Sequence, residues 1–249
     1  MTVGVIGFGR FGRLAATLIA PHAPVVVHDP SPVRLPRGVR GMRRGSLAEA
    51  ARAEIVLLAT PVSALCEVLK RIHPLLAPGS LVADVCAVKV LPVRWMDRLL
   101  PADVTVLGTH PLFGPDSYAG TLAGHTVFLC PVRGRQAALT AAKDLLRRAG
   151  LTVRVIDPDR HDRLMAETVF LTQFVGRLVA AGGLGKGDEG TLHYRHLRSI
   201  ATVARNDTVE LFLDMWRYNP HAHRVAQQLG FGWKEVTRLL KGAGPLRPR

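Results

Sequence analysis

Six residues near the start of the chain, Gly7-Phe8-Gly9-Arg10-Phe11-Gly12, constrain its fold more than any others. A strand-like apolar run, Val3-Gly4-Val5-Ile6, precedes them. Leu14, Ala15, Leu18 and Ile19 follow at helical spacing, up to Pro21. A second β-branched run, Val25-Val26-Val27-His28, then ends in Asp29. In such a junction the first glycine allows a tight turn. The second lets a pyrophosphate approach the backbone, and the third lets helix and strand pack closely. The helix amino terminus adds unpaired N–H groups and the positive end of its dipole. The segment therefore predicts a βαβ unit that binds a dinucleotide through Gly7, Phe8, Gly9, Arg10, Phe11 and Gly12. Asp29, 17 residues beyond Gly12, stands where an acid accepts ribose hydroxyls, which favours NAD. Arg34 and Arg37 lie nearby and leave NADP possible.

The same alternation continues to about residue 156. Strand-like runs recur at Ile55–Leu58, Leu81–Asp84, Val104–Leu107, Thr126–Leu129 and Thr152–Val155, with helical stretches between most of them. This pattern predicts an α/β Rossmann-type parallel sheet over residues 1–156. Thr60, Pro61 and Asp84, at the ends of two of these strands, are placed with the cofactor. At Asp157-Pro158-Asp159 the character changes to a capped helix start, and no strand pattern follows. Helices are expected from 158 to the glycines at 182 and 183, then near 191–204, 208–217, 220–229 and 233–241. Residues 157–249 thus read as a small all-helical domain. Its apolar side chains, among them Phe212, Leu213, Met215 and Trp216, exceed what so small a unit hides, which predicts a homodimer. The terminal Gly244–Arg249 is expected to be disordered.

Composition excludes several classes. The net charge of +14 suggests nucleic acid, but 27 of the 33 basic residues are scattered arginines, with no basic tail and no recognition motif. No apolar run approaches the ~18 residues of a bilayer span. Nor does a basic segment or apolar signal core precede the first strand. Cys66, Cys86 and Cys130 are far apart and odd in number, which fits a reduced cytoplasmic setting and offers no metal site. The expected partner is a small molecule, with neither nucleic acid nor membrane.

After the run at 104–107 comes Gly108-Thr109-His110-Pro111-Leu112-Phe113-Gly114-Pro115, a histidine at a strand end followed by a loop stiffened by proline and glycine. This segment resembles the GxHPMFGP segment of the prephenate/arogenate dehydrogenase family. Asp84-Val85-Cys86-Ala87-Val88-Lys89 is similar to that family's D-x-x-S-V-K, and His161-Asp162 with Met165-Ala166 to its HDxxMA. Thr172 to Arg177 and Arg205 to Asn219 look most like the plant-type arogenate enzymes. The resemblance implies NAD(P)-dependent oxidative decarboxylation of a cyclohexadienyl substrate, arogenate or prephenate, to an aromatic product. It implies His110 as the base, a role suited to a neutral imidazole. It also implies Lys89 as a cation beside substrate or nicotinamide.

Three positions depart from the family pattern. Ala87 stands where a serine usually sits beside the catalytic histidine. Gln173 replaces a histidine of the long helix, and Thr202 replaces a carboxylate-binding arginine. Arg198 and Arg205, one helical turn to either side of Thr202, can supply that cation. Gln173, Arg198, Arg205 and Ala87 are therefore the expected substrate-facing residues. A dehydrogenase of an amino-substituted prephenate is the alternative enzyme. A catalytically weak NAD-binding regulator is disfavoured by His110 and Lys89.

Overall fold

The computed structural model describes residues 1–187 and 189–242 and divides the chain into two compact units, Met1–Asp162 and Arg163–Arg249. Gly244–Arg249, expected to be disordered, lies outside the described residues. In the first unit, eight strands form one sheet: β1 (Val3–Ile6), β2 (Val25–His28), β3 (Met42–Arg44), β4 (Ile55–Leu58), β5 (Leu81–Asp84), β6 (Thr105–Pro111), β7 (Thr126–Arg133) and β8 (Thr152–Val155). Their order is β3-β2-β1-β4-β5-β6-β7-β8. The helices of this unit are α1 (Arg10–Ile19), α2 (Leu47–Ala51), α3 (Val62–Ile72), α4 (Val90–Leu99) and α5 (Gln136–Arg148).

All four residues of β1 and of β5 are buried, as expected for strands covered on both faces. Val3, Val5, Val25 and Val27 pack with Ala16 of α1 and with Ala20, just past its end, in one core cluster. Leu81, Leu107, Val127 and Leu129 pack with Leu139 of α5 in another. Gly150 takes a left-handed φ of +96° as α5 ends, and its N–H donates to the Arg147 carbonyl.

The sheet departs from the all-parallel expectation at one place: β7 runs antiparallel to β6. Residues 112–125 between them contain no crossover helix, so the chain can only return in the opposite direction. β3 was not anticipated either. It is a three-residue edge strand bonded only to β2, and two of its residues are exposed arginines from the basic cluster.

Arg133, at the end of β7, gathers the carboxyl end of α4. Its guanidinium donates to the carbonyls of Asp97, Ala102, Val104 and Leu100, and pairs with the Asp97 carboxylate at 2.9 Å.

The first unit extends to Asp162, six residues past the expected boundary, because His161 and Asp162 bond to groups of the sheet domain. They lie in α6 (Pro158–Met165), whose start is capped by Asp157: its Oδ1 accepts the N–H groups of Asp159 and Arg160.

A π-helical turn, Ala166–Phe170, follows in the second unit, then α7 (Leu171–Ala181), α8 (Leu192–Asn206), α9 (Val209–Tyr218) and α10 (Ala222–Gly242). Thr191 and Thr208 cap α8 and α9. α10 joins two stretches expected to be separate helices. Gly230 and Gly232 cost about 1 kcal/mol each against alanine, and without a proline that does not break a helix. α7 crosses α8 at Gly176, where an added Cβ would stand 2.8 Å from the Ile200 carbonyl oxygen. Phe170 stacks on Phe212 at 5.5 Å and on Trp216 at 6.0 Å.

Within Pro158–Ala181, an 18-residue window has mean hydropathy 1.3, so length and composition alone would let this stretch cross a bilayer. The sequence did not suggest it because Glu167 and Arg177 interrupt the apolar run. A groove of about 760 Å³ lies between α7 and α10, lined by Leu171, Phe174, Leu178, Val225, Leu229 and Trp233 among others.

Candidate active site

The dinucleotide motif folds as its spacing requires. Gly7 has a φ of +98°, and a Cβ there would lie 2.4 Å from the Ala59 carbonyl oxygen. A Cβ on Gly12 would lie 2.1 Å from the Gly7 carbonyl oxygen, so neither position admits a side chain. Gly9 differs: a Cβ there would meet no atom within 4 Å. Its small size therefore serves space outside the protein, at the start of α1, where no side chain caps the helix. That open cradle before bare N–H groups fits a pyrophosphate.

Asp29 follows β2. Its two carboxylate oxygens accept the N–H groups of Phe8 (2.7 Å) and Ser31 (2.8 Å), which fixes the acid against the glycine turn. Arg10 pairs with Asp116 at 2.6 Å, and the Phe11 ring lies 6.1 Å from that of Phe113, so the loop after β6 is fastened to the same turn. Thr60 has a buried hydroxyl without a hydrogen-bond partner among the described residues, and Pro61 immediately precedes α3.

A second cluster forms where β5, β6, α4 and α6 meet. His110, near the end of β6, sets its Nδ1 2.9 Å from Nε2 of His161. His161 in turn sets its Nδ1 2.8 Å from Oδ1 of Asp162. The two oxygens of Asp162 also accept the N–H groups of Lys89 (2.6 Å) and Val90 (2.8 Å), the first donors of α4. Asp162 thus serves the start of α4. Phe128 of β7 meets His161 edge-on, with centroids 5.7 Å apart. No described residue hydrogen-bonds to Nε2 of His110.

Burial pushes the His110 imidazole well below its ordinary value, and the neighbouring His161 and Lys89 charges add to this. Burial also lowers His161, against the opposing hydrogen bond to Asp162. Cys130, on β7, is pushed up to about 12, chiefly by burial, and is inert as a thiolate.

Lys89, expected beside substrate or nicotinamide, and Asp84, placed with the cofactor, meet inside the protein. The Lys89 ammonium bonds to the Asp84 carboxylate, and both side chains are wholly buried. Asp84 also accepts from the N–H groups of Cys86 and Thr109, so its oxygens are committed within the protein. A buried ammonium needs such a partner, because an unpaired charge there is prohibitively costly. Ala87, between Asp84 and Lys89 in the chain, is half-buried.

In the second unit, Gln173 of α7 is buried and its Nε2 donates to Asp207 Oδ2 at 2.6 Å. Its Oε1 is buried without a hydrogen-bond partner. Arg198 and Arg205 both lie on α8. Arg198 donates to the Gly187 carbonyl at 3.1 Å, and Arg205 is exposed and donates to Thr202.

No catalytic or binding role for His161, Asp162, Thr109 or Asp207 is read from the sequence. The adjacent pair His161-Asp162 was visible as a motif, but its contact with His110, 51 residues away, was not.

A nucleotide-binding α/β sheet with a polar cluster at its strand ends, followed by a helical unit, defines a dinucleotide-dependent oxidoreductase architecture. Residues 28–156, just over half of the chain, match the family model described as prephenate dehydrogenase, nucleotide-binding domain, and the chain belongs to that family. It is 27% identical over 253 residues to arogenate dehydrogenase 2, chloroplastic, of Arabidopsis thaliana, covering 97% of this chain and 70% of that one. It is 29% identical over 197 residues to 4-amino-4-deoxyprephenate dehydrogenase of Streptomyces pristinaespiralis, covering 75% and 64%. Two further relatives of the arogenate type are matched over only 46% and 39% of their length. In fold it resembles the crystal structure of prephenate dehydrogenase from A. aeolicus in complex with hydroxyphenyl propionate and NAD+. The TM-score is 0.76 at 17% identity, over 98% of this chain and 91% of that one.

Proposed function

We propose that this chain oxidatively decarboxylates a cyclohexadienyl substrate, arogenate in preference to prephenate, with NAD as the dinucleotide. The observation that carries the reading is His110: a buried imidazole held through Nδ1, with Nε2 free of described partners, at the strand ends where open α/β sheets bind ligands. Such an imidazole takes the proton of the ring hydroxyl. Bound NAD supplies the hydride acceptor. Loss of the ring carboxylate as carbon dioxide completes the aromatic ring and makes the reaction strongly downhill. Gly7, Gly9 and Gly12 with the start of α1 would hold the pyrophosphate, and Asp29 the adenosine ribose. The Asp29 carboxylate repels a ribose phosphate, which supports NAD over NADP.

Gln173 supports the substrate choice. The Asp207 carboxylate can only accept, so it fixes the Gln173 amide with its N–H group toward Asp207 and Oε1 away. The buried, unpartnered Oε1 is an acceptor suited to the arogenate ammonium and has nothing to offer the prephenate keto group. One charge-assisted hydrogen bond is worth about 1.5–3 kcal/mol, or roughly 10- to 150-fold in kcat/KM. Arg198 or Arg205 would hold the ring carboxylate.

Two further parts of the reading concern assembly and setting. The apolar groove of α7 and α10, with Trp233 two-thirds exposed, supports a homodimer through the helical unit. The apolar stretch within Pro158–Ala181 then packs within the protein and is not a membrane span. The three free cysteines suit a reducing cytoplasm.

The deciding experiment is steady-state NADH production with arogenate, prephenate and 4-amino-4-deoxyprephenate. The expected order is arogenate above prephenate. A higher kcat/KM for prephenate refutes the Gln173 argument. Activity on the amino-substituted compound alone would reassign the substrate.

A further inference from the structure

We propose that Asp162 acts through His161 to hold His110 in the tautomer that carries its proton on Nδ1, leaving Nε2 as the base. The inference rests on the dehydrogenase reading above and names two positioning residues for it.

The argument follows from which atoms can donate. The ionised Asp162 carboxylate is an acceptor only, so the 2.8 Å contact to His161 requires the His161 proton on Nδ1. A neutral His161 then has a lone pair on Nε2. The 2.9 Å contact to His110 in turn requires a proton on His110 Nδ1. A neutral His110 with its proton on Nδ1 keeps its lone pair on Nε2, the atom with no described partner. The tautomer of the base is thus set two hydrogen bonds away, by a carboxylate that cannot touch the substrate itself.

Asp162 is well placed for this. The α4 N–H groups of Lys89 and Val90 fix its carboxylate, and the Phe128 ring buttresses the His161 imidazole. Nε2 takes the hydroxyl proton as the ring carbon is oxidised, for which NAD, when bound, would supply the hydride acceptor. The Nδ1–H bond to His161 becomes charge-assisted at that moment, and Asp162 balances the charge one imidazole further on.

The arrangement has an acid failure mode. A protonated His161 donates from Nε2 as well, which forces the His110 proton onto its own Nε2 and abolishes the base. The charged groups facing the pair are Lys89 from the start of α4, Asp84 from β5 and Asp162 from α6.

The test uses position 161, because Asp162 also caps α4 and its loss would confound folding. Nitrogen NMR of the histidine-labelled wild-type protein at neutral pH should show His110 protonated on Nδ1 and bare on Nε2. His161→Phe should lower kcat by about 100-fold, as for a misoriented general base, while NAD affinity stays unchanged. His161→Gln, whose Oε1 can accept the Nδ1–H bond, should recover roughly tenfold of that loss.

A wild-type His110 protonated on Nε2 overturns the proposal. So does a folded His161→Phe protein, judged by circular dichroism and NAD binding, that keeps wild-type kcat, or a His161→Gln protein no better than it. The NMR readout needs no turnover. A wild-type protein inactive on all three substrates would overturn the dehydrogenase reading, and the tautomer alone would then decide the role of Asp162.

Discussion

Lys89 sets its ammonium against the carboxylate of Asp84, with both side chains at zero exposure. Removing one partner of such a pair strands the other charge in the interior, at a cost of about 3–5 kcal/mol. Lys89→Met should therefore lower the denaturant midpoint sharply, with any residual folded enzyme keeping its substrate KM. A raised KM at an unchanged midpoint would instead make Lys89 a substrate ligand.

The acid limb of activity should lie below pH 6.5. Both His110 and His161 are lowered from that value, chiefly by burial, so the base stays neutral as the medium is acidified to mildly acidic pH. Stability follows the same sign. The unfolded chain takes up protons as pH falls through about 6.5 while the folded pair does not, so stability declines from there downward. A kcat/KM profile that already falls above pH 7, together with stability flat across this window, would contradict the assignment.

Asp29→Ser should narrow the preference for NAD over NADP. The substitution removes the charge that repels a ribose phosphate and loosens the clasp on the Phe8 N–H group. Separate kcat/KM values for the two dinucleotides measure it. A wild-type enzyme equally efficient with NADP would show that Arg34 or Arg37 overrides the carboxylate.

Trp233→Glu should yield a monomer in light scattering at micromolar concentration, since it places a charge on the exposed apolar wall of the α7–α10 groove. A wild-type protein that is itself monomeric under those conditions would remove the groove from assembly.

The fold was legible where local chemistry decides it. The glycine turn at 7–12 and the cap at Asp157 each follow from a few neighbouring residues. β3 escaped because two of its three residues are exposed arginines, and edge pairing with β2 leaves little apolar signature. The reversal at β7 is a matter of what residues 112–125 lack, a crossover helix, and the run at 126–129 does not record its own direction. In the site, His110 stood out from its loop. The Lys89 partner did not, because the spacing of Asp84 and Lys89 does not record that the two side chains meet in the interior. His161 and Asp162 depend on a contact across 51 residues, which no spacing rule encodes.

α4 is fastened at both ends by residues far away in the chain, Asp162 at its amino end and Arg133 at its carboxyl end. In evolutionary terms the helix is a shared constraint. A lineage that loses Arg133 releases the far end of an element whose near end orients the carboxylate behind His161. Drift at Asp97 and Arg133, neither of which belongs to the polar cluster, should then be tolerated only as a matched exchange. In a random-mutagenesis library scored on turnover, Arg133 should rank among the intolerant positions.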